Sequence, residues 1–464
     1  MLKYKGGHAS VKIVGDLAVS WNVAADGLSF TFKLVKGVKF HDGTALTAAD
    51  VKASYERIAK PPTGVISLRQ PLYEDITAIE TPDDHTVVFK LKAVNASMLD
   101  GFASPWNCIY SAAKLKDNPK FPENNVLGTG PFRFVEHIKG QSWEGKRFEG
   151  YFRDGRPYLD GFKILFVKSA ALATGLMGGQ FDIEMRGISP AERDQIMDRK
   201  KDDMVLNEGP WSCSHMFTFN SRKKPFDDVR VRQALSLAVD RWGNSAAVSK
   251  ISLFKHVGGF LRPGYPYALS NEELEKLPGY GRDIGKARDE ARKLLKAAGV
   301  ENLKINFLNR AVGQPYTTAG ILLADQWKKI GVEMENKQLE TKLFFEALAR
   351  QDFDVAIDFI CDHADDPSLQ YAHLVSEAMN SPPSYSKHGD KKVDELFEKQ
   401  KRTLDPAARK KATEEFERYT LTQSHNSMLY WWQRIVVHHK RLKGWDLTSS
   451  HYTGNDLIDV WIDQ

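Results

Sequence analysis

"LAVSWNVAADGLSFTFKLVKGVKFHDGTALTAADV", Leu17 to Val51, is the stretch from which the fold class is read. Phe30, Phe32 and Leu34 alternate with Ser29, Thr31 and Lys33, a period of two that describes a half-buried strand with one apolar face. Ala25, Asp26 and Gly27 ahead of it form a turn signal into a hairpin. Gly37 breaks the strand, and Asp42-Gly43 makes a second turn. Thr47 followed by Asp50 has the spacing of a capping box, with Asp in place of Glu or Gln. Behind it Val51, Tyr55 and Ile58 fall at helical spacing. The stretch predicts strand, turn, strand, turn, helix. It holds no nucleophile paired with a base and no metal-ligand spacing, so it reads as scaffold.

The same alternation of strand and helix continues along the chain. Strands are expected at 85–92, 162–168, 181–185, 302–309, 353–359 and 428–439, with a short helix opening over 95–99. Helices are expected at 169–179, 228–241, 289–299, 319–331 and 405–423. Gly299 and Gly331 stand where a C-terminal cap belongs, and Asp405 with Pro406 supplies an N-cap and a first helical position. The glycines flanking Thr129, with Pro131 behind them, make 121–137 a stiff, bent connection between domains. Interleaved strands and helices imply an α/β fold with partly parallel sheets.

With 464 residues the chain exceeds the size at which a single core keeps growing, so two or three domains are expected. Its net charge of +5 comes from 65 basic and 60 acidic side chains spread along the chain, which argues against a nucleic-acid partner. The basic run in "RKKPFDDVRVR" contains acids and reads as a solvated face. Cys108, Cys213 and Cys361 lie far apart without a CxxC motif. Buried free thiols are the plain expectation, with one disulfide and a leftover thiol left open for an oxidising compartment. No run approaches the length of a membrane-spanning helix. The first residues, "MLKYKGGHAS", lack the apolar core of a signal peptide and taken alone read as cytoplasmic.

Tests for catalysis fail. There is no Walker A loop and no HExxH. In "GQSWEG" Glu144 stands where a nucleophile elbow needs glycine, and "GYGRDIG" spaces its third glycine one residue too far for a dinucleotide loop. His438 and His439 are neighbours on an expected strand and point to opposite faces. No triad, acid/base pair, metal site or cofactor site is nominated.

The Leu17–Val51 stretch resembles a signature region of the extracellular solute-binding proteins of family 5, receptors of ABC importers for dipeptides, oligopeptides and nickel. Leu17, Ala18, Ser20, Trp21, "FTFKL", Gly37, Phe40 and "DGTALTAADV" carry the resemblance. "GTGPFRF" (128–134) looks like the family's linker motif, "FNSRKKPFDDVRVRQALSLAVDR" (219–241) like its long central motif, and "GWDL" (444–447) sits near the end as in the family. The resemblance extends over essentially the whole chain. It implies a two-lobed α/β fold of the periplasmic-binding-protein (Venus-flytrap) class, with an extra peripheral subdomain in the first lobe. On this chain that maps to a peripheral subdomain at 1–126, the main part of lobe I at 127–217, lobe II at 218–436, and a return to lobe I at 437–464. Family members begin with a signal peptide and a first strand; this chain starts after both, so an open sheet edge in lobe I is expected.

What the resemblance implies about function is capture of a solute between two lobes and delivery to a membrane permease, without bond breaking or a cofactor. The location implied is periplasmic or extracellular, at the membrane through the permease, and the protein is expected as a monomer. Peptides or peptide-like solutes are the leading ligand class, since their backbones pair with strand edges. An oligosaccharide, an opine-like compound, a metal chelate, or a signalling or chaperone-like receptor role are the alternatives.

Candidate ligand residues combine aromatic walls with a few fixed polar groups. Thr129 offers a hydroxyl between glycines. Trp211, Ser212 and His215 lead into the first lobe crossing. Phe359, Asp362, His363 and Asp366 lie at or just after an expected lobe II strand. In peptide-binding relatives this loop supplies an aspartate to the peptide amine; counting back from Asp366-Pro367, the matching position is His363, with Asp362 adjacent. Trp431 or Trp432 is expected to stack on ligand, one of the two because strand neighbours face opposite ways. Trp106 and Asn107 are further candidates in the peripheral subdomain.

Overall fold

Phe30, Phe32 and Leu34 all point into a core in the computed structural model, which describes residues 1–5, 12–67, 69–167 and 169–463. Part of the N-terminal decapeptide read for a leader, and Lys168 at the end of the expected 162–168 strand, lie outside the described residues. Ser29–Leu34 pairs antiparallel with Ala18–Val23 and with Thr86–Leu91, and Ile76–Asp83 completes a four-stranded sheet. Helix Ala48–Ala59 buries Val51 and Tyr55, whose ring stands edge-on to Phe89 at 5.0 Å and to Phe102 at 5.7 Å. The Asp50 carboxylate accepts from the Thr47 amide at 2.7 Å, as the cap spacing predicts, and from the Ala112 amide at 2.7 Å. One carboxylate thus caps the helix and ties it to a distant segment.

The chain divides into two units: Met1–Ile188 with Glu192–Glu208 and Ile435–Gln464, and Ser189–Ala191 with Gly209–Arg434. The first unit contains the four-stranded sheet and a three-stranded one formed by Phe132–Ile138, Ser142–Arg147 and Gly161–Leu165. It leaves Phe134, Val135, Ile164 and Phe166 exposed. Two local expectations are corrected here. Residues 181–185 form no strand, only a single bridge from Ile183 to His438, since no ladder continues beyond that bridge. Within 121–137 the chain makes a short helix, Phe121–Asn124, and then enters the Phe132–Ile138 strand.

The second unit is organised by a six-stranded sheet, two of whose strands have their end residues, 204–208 and 435–439, in the first unit. Its order is Phe254–His256, Asn426–His439, Met204–Phe219, Val355–Cys361, Lys304–Arg310, Glu333–Leu339. Lys304–Arg310 runs parallel to both Glu333–Leu339 and Val355–Cys361, while Met204–Phe219 runs antiparallel to Val355–Cys361. Helices Thr318–Lys328 and Thr341–Ala349 are the crossovers that parallel strands require. Trp327 locks the first of them: fully buried, 5.4 Å edge-on to Phe217, it donates its indole N–H to Leu235 O at 2.9 Å. The expected glycine caps appear as left-handed residues, Gly299 at φ 73° and Gly331 at φ 83°. The expected 228–241 helix is two helices, Val229–Leu237 and Arg241–Ile251, because Asp240 caps the second by accepting from the Gly243 amide.

Register also decides the thiols. Cys213 and Cys361 stand directly opposite on antiparallel strands, 4.2 Å apart at Cα, and form a disulfide between residues 148 apart in sequence. Cys108 is free and exposed. The expectation of three buried free thiols is corrected accordingly.

Candidate ligand-binding site

Three of the sequence candidates lie in the first unit. Asn107 is buried and serves the core: its side-chain amide donates to Gly101 O at 2.7 Å and Tyr55 Oη at 3.1 Å and accepts from Tyr73 Oη at 2.8 Å. Trp106 is 37% exposed, with the Arg69 guanidinium 3.8 Å above its ring and Tyr452 at 4.7 Å. Thr129 lines a cavity of about 620 Å³ in this unit together with His41, Asn107 and Trp445. His41 holds the bend around Thr129 through Gly128 O at 2.9 Å and Gly130 O at 3.0 Å.

The rest lie in the second unit and separate into two groups. Trp211, His215, Phe359 and Trp432 come together. His215 and Phe359 are opposite residues on paired strands. The Trp432 indole N–H donates to His215 Nδ1 at 2.9 Å with the rings only 22° apart, and Trp211 meets Trp432 at 5.2 Å, nearly perpendicular. Trp431 turns the other way, as strand alternation dictates, and donates to Gly259 O at 2.9 Å. Ser212 is buried, and its hydroxyl finds no hydrogen-bond partner among the described residues.

The loop after Val355–Cys361 forms the second group. Asp366 caps helix Pro367–Tyr371 by accepting from the Ser368 amide at 2.9 Å and is paired in the interior with Arg409 at 2.9 Å. Asp365 is paired with Arg262 at 2.7 Å, also in the interior. A buried carboxylate whose charge is already matched serves the loop's shape. Asp362 is partly exposed; it accepts from the amide of His363 at 2.7 Å, and its Oδ1 lies 2.7 Å from His363 Nδ1. The His363 side chain itself is buried.

Three residues complete the aromatic group that sequence reading missed: Arg310, Tyr316 and Phe345. Arg310 ends Lys304–Arg310 and is partly buried. Its Nε donates to Thr341 Oγ1 at 3.0 Å and its Nη1 to Tyr316 Oη at 3.1 Å, while Cζ lies 5.0 Å from the Tyr316 ring and 5.7 Å from Phe345. Neutral acceptors hold it in place and no carboxylate pairs with it among the described residues. Phe359 lies 6.2 Å from both Tyr316 and Phe345. Burial, and then the charge of Arg310, hold the His215 imidazole well below its usual range, so the ring is uncharged. The signal that could have found Arg310 is its place at the carboxyl end of a parallel strand, where open α/β sheets bind their ligands.

The arrangement offers a lone guanidinium on an aromatic floor and, from the next strand's carboxyl end, a partly exposed carboxylate. Charged groups set among aromatic rings suit the binding of a small charged ligand.

Comparison with known proteins supplies the family. The description "Bacterial extracellular solute-binding proteins, family 5 Middle" matches residues 12–381. The chain belongs to this family. Among relatives, it is 28% identical to di/tripeptide-binding protein 1 of Pseudomonas aeruginosa over 95% of this chain and 86% of that one. It is 32% identical to a glutathione-binding protein of Pectobacterium atrosepticum over 64% of this chain, a match that spans about half, 55%, of that relative's length. The fold is that of a Helicobacter pylori periplasmic binding protein solved with the peptide STSA, with a TM-score of 0.87 at 22% identity, over 100% of this chain and 91% of that one. The fold class is therefore the two-lobed α/β fold of family 5 binding proteins. Among the described residues no helix is long and apolar enough to cross a membrane.

Proposed function

We propose that this family 5 protein is the solute-binding component of an ABC importer, and that its solute is a short peptide or peptide-like compound with a free carboxylate. The observation that carries the reading is Arg310. A partly buried cation held by two neutral oxygens over aromatic rings leaves its charge to be matched by a ligand anion, and its fork geometry suits a carboxylate. Asp362, on the loop leaving the neighbouring parallel strand, supplies the opposite charge for an ammonium group. Trp432, Trp211, Phe345 and Phe359 supply apolar area around them. The names of the relatives, a di/tripeptide-binding protein and a glutathione-binding protein, are in keeping with a ligand that carries both charges. The disulfide suits a protein that works outside the cytoplasm. Delivery to a permease and action as a monomer belong to the same proposal.

Calorimetric titration tests it. Protein stripped of carried-over ligand by unfolding and refolding is titrated with di- and tripeptides, glutathione and the C-terminal amides of the same peptides. Free peptides are expected to bind and their amides to bind at least about tenfold more weakly. Folded protein that binds none of them, or binds acid and amide alike, contradicts the proposal.

A further inference from the structure

We propose that His215 and Trp432 are positioning residues for the Arg310 guanidinium, acting through the ring of Tyr316; this rests on the reading of Arg310 as a carboxylate anchor. An indole N–H can only donate, so His215 Nδ1, which receives it at 2.9 Å, carries no proton. The ring's proton is therefore on Nε2. That atom is buried and has no hydrogen-bond acceptor among the described residues. Tyr316 packs against the imidazole, 4.5 Å away between centroids and at 83°, the geometry of an edge-to-face pair, the kind of contact that offers a ring N–H an electron-rich face. Tyr316 then holds Arg310 twice, through its hydroxyl at 3.1 Å and through its ring under Cζ at 5.0 Å.

The series is continuous: Trp432 fixes the imidazole, the imidazole fixes the tyrosine ring, and the ring with Thr341 fixes the guanidinium. Packing alone gives no reason to bury a histidine completely with one nitrogen unmatched, since an apolar ring fills the same space without that cost. Phe254, at 5.3 Å and 80°, and Phe359, at 6.5 Å, also pack against the imidazole. The low basicity of the buried ring fits this role, because a protonated imidazole cannot accept from Trp432 and adds a second cation beside Arg310.

The test reads Arg310 directly. In ¹H–¹⁵N spectra of the full chain, the Arg310 Nε–H resonance is assigned by its loss in Arg310→Lys. His215→Gln, which keeps one acceptor and one donor, is expected to retain that resonance apart from those of solvent-exposed arginines. His215→Phe and Trp432→Phe are expected to merge it with them and to weaken binding of the dipeptide Ala-Leu by about tenfold, with little change for its C-terminal amide. Either phenylalanine variant, folded and melting like the parent, with resonance and affinity unchanged, overturns the positioning role. If the resonance responds as expected but the parent binds neither Ala-Leu nor its amide, the positioning role stands and the reading of Arg310 as a peptide-carboxylate anchor falls.

Discussion

Asp358 is a carboxyl group in the middle of a buried strand, and burial pushes its pKa up to about 7 against the hydrogen bonds from Thr218 Oγ1 and the Phe359 amide. Glu417 is raised to about 7 in the same way, although the amides of Leu261, Leu269 and Phe260 donate to it. Where a folded pKa lies above the unfolded carboxylate value of about 4, the folded state binds more protons, so stability falls as pH rises from there to about 7. Asp358→Asn keeps an acceptor for Thr218 and removes that slope. Denaturant titrations are expected to show the variant gaining on the parent as pH goes from 4 to 8. His425 shows the opposite sign. Burial holds its pKa down to about 3, with the Asp390 hydrogen bond opposing, and His388 is stacked on it at 4.0 Å. Here the unfolded chain binds more protons, so stability is lost as pH falls below the unfolded value of about 6.5. His425→Gln is expected to flatten the decline between pH 6.5 and 4, and an unchanged acid limb contradicts this. At this scale the sequence reached Trp211, His215, Phe359 and Trp432 of the candidate site but neither Tyr316 nor Phe345. Trp431 and Trp432 were separable by alternation; that Trp432 serves His215, 217 residues away, is a fact of sheet order that no local spacing contains. Arg310 escaped because a single arginine ending a strand looks like any surface charge until Tyr316 and Thr341 are seen around it.

The elements were legible where a pattern is local. Period-two alternation placed Ser29–Leu34, and the Asp405-Pro406 cap placed the start of Pro406–Gln423. The failures have equally local causes. The 228–241 run was read as one helix because the use of the Asp240 carboxylate as a cap on the next helix cannot be told from composition. Residues 181–185 carry strand-like side chains but lack a ladder partner beyond the Ile183 bridge. Pairing of Cys213 with Cys361 required the register of Met204–Phe219 against Val355–Cys361. This cross-link fastens the strand that carries His215 to the strand that leads to Asp362. Replacing both cysteines by serine is expected to lower stability by about 2–4 kcal/mol, from the regained freedom of the unfolded chain. Urea unfolding of oxidised parent and double variant measures it, and coincident curves contradict it. The crossover helix depends on Trp327, so Trp327→Ala is expected to cost about 3–5 kcal/mol through the cavity it leaves.

At the scale of the whole molecule, the family resemblance read from the Leu17–Val51 and 219–241 motifs is what the family match over residues 12–381 states directly. Those motifs mark framework: Val231, Ala234, Leu235 and Ala238 of the central motif are all fully buried. A framework can be read from one sequence because it is built of repeating local patterns, whereas the ligand surface is built of single residues brought together by topology. A binding protein is stabilised by its own ligand through mass action. A cognate solute at a hundred times its Kd is expected to add about 2.7 kcal/mol to the free energy of unfolding, seen as a raised Tm, while a non-ligand leaves the melt unchanged. The most direct test of peptide binding is to purify the chain without added solute, denature it, and identify the released small molecules by mass spectrometry beside a blank. Short peptides or peptide-like acids are the expected result. A sugar or a metal chelate that fills the site, with no peptide released and none able to displace it, contradicts it.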